Sequence, residues 1–113
     1  MSSECIFCKI ANGEIPVIPV YQNEEFFAFR DTNPQAPVHV LIVPKTHYTS
    51  LLDIGDEGLL GRAMLAVKQT AKALNLEDEG FRVVINTRDN GGQTVPHLHF
   101  HLLGGRFMQW PPG

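Results

Sequence analysis

At 113 residues, 43% of them hydrophobic and 19% charged, the chain is long enough for one domain with a modest core. A net charge of −3 argues against coating a nucleic-acid backbone, which needs a basic surface, although a single nucleotide needs only local complementarity. No apolar run approaches the ~20 residues of a membrane span, and the opening Met-Ser-Ser-Glu-Cys lacks a signal-peptide pattern, so the expected location is cytoplasmic, with no membrane partner.

In chain order, Ser2 or Ser3 is placed to cap a short helix from about Glu4 to Asn12, stopped by Gly13. Ile6 and Ile10 would share one face of it, and Cys5 and Cys8, three apart, would also point together. Ile15 to Pro19 is expected to be extended, because a residue before proline avoids the helical region. A short strand at Val20-Tyr21 and a turn at Asn23-Glu24 lead into a strand from Glu25 to Arg30. Phe27 and Phe29 share a face of that strand, and Asp31 continues it. After a proline-punctuated loop, Val38 to Val43 is the most β-branched run, with His39 on the face of Leu41 and Val43.

Asp53 or Asp56 is expected to cap the one long helix, which runs to about Asn75. Leu60, Ala63, Met64, Val67, Ala71 and Leu74 form its core stripe. A strand follows at Phe81 to Thr87, with Asn86 near its end, and then a loop from Arg88 to Pro96. Together these elements imply an α+β domain: a five-stranded antiparallel sheet, one long and one short helix, and the helices on one face.

The last strand carries the chemistry. His97, His99 and His101 alternate with Leu98, Phe100 and Leu102, which places three imidazoles on one face roughly 6–7 Å apart and three apolar groups on the other. Gly91-Gly92-Gln93-Thr94 precedes the strand and Gly104-Gly105 closes it. Three readings are open on the residues alone: hydrogen-bonded or surface histidines, a three-histidine catalytic metal site, or nucleophilic and acid–base imidazole chemistry. The glycine pair is neither a P-loop nor a dinucleotide fingerprint. Cys5-Ile-Phe-Cys8 suggests metal or redox chemistry in a cytosolic chain before it suggests a disulfide.

His97-Leu-His-Phe-His-Leu-Leu103 resembles the histidine triad (HIT) signature. Asp31, Pro34 to His39, Ile42 to Lys45, Asn86-Thr87, Gly91 to Thr94 and Leu103 to Arg106 with Trp110 to Gly113 resemble its Hint branch. That resemblance spans nearly the whole of residues 1–113 as a single HIT domain. It implies a homodimer with sheets joined edge to edge, and hydrolysis of purine nucleoside phosphoramidates. It makes His99 the nucleophile, with His101, His39 and His97 as its catalytic companions. Gly92, Gln93 and Thr94 are then expected to hold the phosphate, Asn86 to contact phosphate or ribose, and Asp31 to accept the ribose hydroxyls. Ile6, Phe7, Ile10, Ile15, Phe29 and Leu41 match the apolar purine cleft.

Zinc-binding members of the superfamily pair Cys-x-x-Cys with a histidine after the β-branched strand. The matching ligands here are Cys5, Cys8, His47 and His97, a closed structural site with no organic cofactor. Residues 106–113 are expected, by the same resemblance, to dock at the dimer interface. The competing functions are dinucleoside polyphosphate hydrolysis and non-enzymatic nucleotide binding.

Overall fold

The computed structural model describes residues 5–113. Five antiparallel strands form one sheet in the order β1-β2-β3-β5-β4: β1 Tyr21–Gln22, β2 Phe26–Arg30, β3 Val38–Pro44, β4 Phe81–Val84 and β5 Phe100–Gly104. The α+β class and the strand count are as expected. The register sets Leu41 opposite His101 and His39 opposite Leu103. Strand alternation therefore sends His39, Leu41 and His101 to one side, and Val40, Ile42, Phe100 and Leu102 to the other.

On that second side lies the long helix α2, Glu57–Ala73, capped by the Asp56 carboxylate accepting from Gly58 N–H at 2.9 Å. Asp53, the other candidate cap, instead closes a capping box with Ser50 on a 3-10 turn, Leu51–Asp53. The buried face of α2 is Leu59, Ala63, Ala66, Val67, Thr70 and Ala71, packed on Phe26, Ala28, Val40, Ile42, Leu98, Phe100 and Leu102. Against the expected stripe, Met64 is exposed and Leu60 and Leu74 are only partly buried. Small residues at 63, 66 and 70 let the helix approach the sheet, so the seat goes to the alanine side of a segment that from 58 to 67 is apolar except at Arg62.

The helices do not share one face. Phe26 to Phe29 are all buried, so both faces of β2 need cover. The short helix α1, Ile6–Ala11, supplies it on the far side, where Phe7, Ile10 and Ala11 pack with Phe27, Phe29, Leu41 and Val43. The N-cap of α1 is Cys5, whose sulfur accepts from Cys8 N–H at 3.3 Å. The Ser2 and Ser3 caps lie outside the described residues.

The histidine strand also begins later than expected. His97 N–H turns back to Val95 O at 2.8 Å, and Leu98 N–H goes to Tyr48 O at 2.7 Å, so ladder pairing starts only at Phe100. Pro96, which has no N–H, sits at that bend. The side-chain alternation survives it, for Leu98 still enters the core. Likewise β4 stops at Val84, and the expected loop contains a short helical turn α3, Arg88–Gly91.

Candidate active site and metal cluster

Between α1, the ends of β2 and β3, and β5 lies a cleft of about 490 Å³. Its lining brings together Ile6, Phe7, Ile10, Phe29, Asp31, Leu41, Thr94, His39, His99 and His101. Ile15 is not among them; it packs against the apolar cluster of α1 and lines a separate depression. Gly92 and Asn86 also stay outside the lining. Gln93 faces a larger, more polar depression of about 650 Å³ with Arg88 and Asn90, which contains no histidine, so the chemistry belongs to the smaller cleft. Val17, Val95 and Gln35 line the cleft without having been singled out. Their one sequence signal is the prolines that flank Val17 and Gln35 and mark both as loop residues.

Main-chain groups fix the tautomers of His99 and His39, and His39 in turn fixes that of His101. His99 Nδ1 lies 2.7 Å from His97 O. A carbonyl only accepts, so Nδ1 carries the hydrogen and Nε2 keeps a bare lone pair. His39 Nδ1 accepts from Gln35 N–H at 3.0 Å, so its hydrogen is on Nε2, which donates to His101 Nδ1 at 2.9 Å. His101 must then carry its own hydrogen on Nε2. That atom is buried and has no partner among the described residues.

Burial is the main cause that lowers the His39 imidazole below its ordinary value, with the Asp31 carboxylate opposing it. The 3.5 Å approach of Asp31 Oδ2 to His39 Nε2 is therefore no salt bridge, since Gln35 N–H already occupies Nδ1. Burial, then the neighbouring His99 and His39, bring His101 down to about 4. Asp31, His39 and His101 gather three potential ligand atoms. The hydrogen on His39 Nε2 makes the group a hydrogen-bond relay rather than a metal cage.

Phosphate-side residues are arranged less directly. Thr94 is exposed on the cleft wall. The Gln93 amide braces its own loop: Oε1 accepts from Arg88 N–H at 3.0 Å, and Nε2 donates to Thr49 O at 2.7 Å and Val95 O at 3.0 Å. Both ends of that amide are thus engaged with main-chain groups that shape the loop. Gly92 takes the left-handed φ of 76° that caps α3, a conformation suited to glycine.

The four expected metal ligands do meet. Cys5 Sγ is 3.1 Å and Cys8 Sγ 3.4 Å from His97 Nδ1, and Cys8 Sγ is 3.3 Å from His47 Nδ1. Tetrahedral zinc with these ligands needs donor separations of about 3.5 Å, so the cluster is compatible with a structural zinc site. His97 Nε2 donates to Pro44 O at 2.9 Å, which leaves Nδ1 as the free donor. The ring is fully buried, and its imidazole is held near 4, by burial first. Burial and the adjacent Cys5 push the Cys8 thiol up to about 11, so taking a metal here requires proton release.

The HIT domain family model matches residues 12–108. A 14 kDa zinc-binding protein of Zea mays is 50% identical over 98% of this chain and 89% of its own. A HIT family hydrolase from Legionella pneumophila superposes with a TM-score of 0.91 at 48% identity, covering 97% of this chain and all 100% of the other. A histidine triad nucleotide-binding protein from Candida albicans gives 0.82 at 35% identity, over 96% of this chain and 83% of that one. With the histidine pattern, the sheet order and these relatives in agreement, the chain belongs to the histidine triad (HIT) family.

Proposed function

We propose that the chain hydrolyses the phosphorus–nitrogen bond of purine nucleoside phosphoramidates such as adenosine 5′-phosphoramidate. In this reading His99 Nε2 attacks the α-phosphorus, the P–N bond breaks, and the amine departs with a proton. Water then displaces His99 and releases the nucleoside monophosphate. The observation that carries the reading is the hydrogen bond from His99 Nδ1–H to His97 O, which leaves the opposite nitrogen nucleophilic inside the cleft. His101 Nε2–H, which has no acceptor among the described residues, suits a phosphoryl oxygen. Thr94 and the main chain of the 92–94 loop would share that oxygen charge, with Asn86 beside them. The Asp31 carboxylate suits two adjacent ribose hydroxyls, and Phe7, Phe29 and Leu41 suit a purine. The names of the Legionella hydrolase and the Candida nucleotide-binding protein support the same class.

A homodimer fits this reading. Among the described residues the outer edge of β4 is unpaired, and Met64, Leu65, Phe81, Phe107 and Trp110 are exposed, apolar surface that a second copy would cover. In that dimer residues 106–113 would dock across the interface. Turnover of adenosine 5′-phosphoramidate tests the enzymatic proposal. His99→Gly is expected to lose it, together with the nucleotidyl adduct that mass spectrometry would detect on the wild-type protein after a brief pulse. Steady-state rates within tenfold of wild type in that variant would overturn it.

A further inference from the structure

One residue belongs to both centres described above. His97 presents Nδ1 to Cys5 and Cys8, anchors Nε2 on Pro44 O, and with its own carbonyl accepts from His99 Nδ1 at 2.7 Å. A second path runs beside it. Cys5 and Cys8 begin α1, and Phe7 between them sets its ring edge-on against His97 and His99, at centroid distances of 5.9 and 5.1 Å. Phe7 is also a wall of the nucleoside cleft. The position of the His99 ring therefore depends on a carbonyl and a phenyl ring that both hang from cluster residues.

We propose that the Cys5–Cys8–His47–His97 cluster is a positioning device for the nucleophile: with zinc bound, its residues hold His97 and α1 so that His99 keeps Nδ1 protonated and Nε2 directed into the cleft. The proposal rests on the hydrolase reading for its kinetic consequence but not for its structural one. Without zinc, the four ligand atoms face one another only across S···N contacts of 3.1, 3.3 and 3.4 Å, with no common centre to fix them. His97 then keeps only its Nε2 bond to Pro44 O, and the direction of its carbonyl is less firmly set. His99 is free to exchange its hydrogen between the two nitrogens, and the fraction able to attack falls.

The test uses the whole protein, uniformly ¹⁵N-labelled, loaded with zinc and then stripped by a chelator. The long-range ¹⁵N–¹H imidazole spectrum reads the His99 tautomer, and kcat and KM are measured on the same samples. Zinc-loaded protein is expected to show a single Nδ1–H form of His99. Stripping should average that signal and lower kcat by about tenfold, the lower end of what outer-shell partners of a metal site contribute, and zinc should restore both. A folded, stripped protein that keeps the Nδ1–H signature would overturn the proposal.

Should stripping unfold the chain, His47→Ala, which keeps three donors and holds zinc more weakly, carries the test. A His99 signature that tracks zinc occupancy in a folded variant supports the proposal, and one indifferent to zinc overturns it. Loss of turnover on every phosphoramidate with the zinc-dependent signature intact would instead refute the hydrolase reading alone.

Discussion

The unpartnered Nε2–H of His101 makes a specific demand on stability. A buried donor with no acceptor costs about 1–3 kcal/mol, and His101 Nε2 has no acceptor among the described residues. Replacing His101 with Leu, a side chain of similar volume, removes that penalty and adds apolar surface to a site beside Leu41 and Val84. The replacement also removes the acceptor for His39 Nε2–H, a bond worth roughly 1 kcal/mol net. That donor retains an alternative in Asp31 Oδ2, already 3.5 Å away. The balance predicts that His101→Leu leaves the protein unchanged or more stable by up to about 2 kcal/mol, where most changes to a buried polar residue destabilise. Urea unfolding at saturating zinc reads this directly, and thermal melting should rise by about 4 °C per kcal/mol. On the proposed substrate the same variant should lose about a hundredfold in kcat, as expected when a donor aimed at a developing oxyanion is deleted. A loss of stability greater than about 2 kcal/mol would mean that the donor is satisfied in solution, and the reasoning would fail.

Three further outcomes follow from the same geometry. Asp31→Asn should reduce the preference for ribose over 2′-deoxyribose substrates about tenfold or more, since a charged acceptor becomes a neutral one; equal discrimination in a kcat/KM comparison would remove Asp31 from the ribose site. For pH, the folded-state value of His101 lies near 4, below its ordinary 6.5, so the unfolded chain takes the proton first as pH falls. Stability present above pH 6.5 should therefore drain away between 6.5 and 4, by on the order of 1–2 kcal/mol after allowance for partial solvent screening. Urea midpoints across that range should show the slope in wild type and a flatter one in His101→Leu. Gly104→Ala would set a Cβ 2.8 and 2.9 Å from the methyls of buried Leu76. A loss of about 1–3 kcal/mol is expected, and a double-mutant cycle with Leu76→Ala should show coupling of the two sites.

The alternation of the histidine strand was the most legible feature, because a period of two admits one placement once Leu98, Phe100 and Leu102 are committed to the core. Less legible was the seat of α2. Gly-Leu-Leu-Gly-Arg-Ala-Met-Leu-Ala-Val offers apolar residues almost all round, so periodicity alone does not distinguish Leu60 and Met64 from Leu59 and Ala66. The cover on both faces of the sheet was implicit in Phe26 to Phe29, an unbroken apolar run that alternation cannot assign to one side. In the site, residue types point to the cluster and cleft, but the engagement of the Gln93 amide by main-chain groups of Arg88, Thr49 and Val95 is not legible in the sequence. Such a bond leaves no trace in side-chain pattern. For the same reason Gln35 escaped notice, since its contribution to His39 is a backbone N–H that any residue except proline would supply.

That last point bears on how the site tolerates sequence change. Three imidazole tautomers are set by Pro44 O, His97 O and Gln35 N–H, and the Gln35 peptide is itself steadied by the Arg106 guanidinium, which donates to its carbonyl at 3.1 Å. Backbone atoms are common to nearly all amino acids, so drift in the side chains at 35 and 44 cannot rewrite the protonation code of the triad. At position 35 only proline, which lacks the N–H, would do so. The histidines therefore form a site whose logic is stored in the fold and is insulated from most point mutations around it.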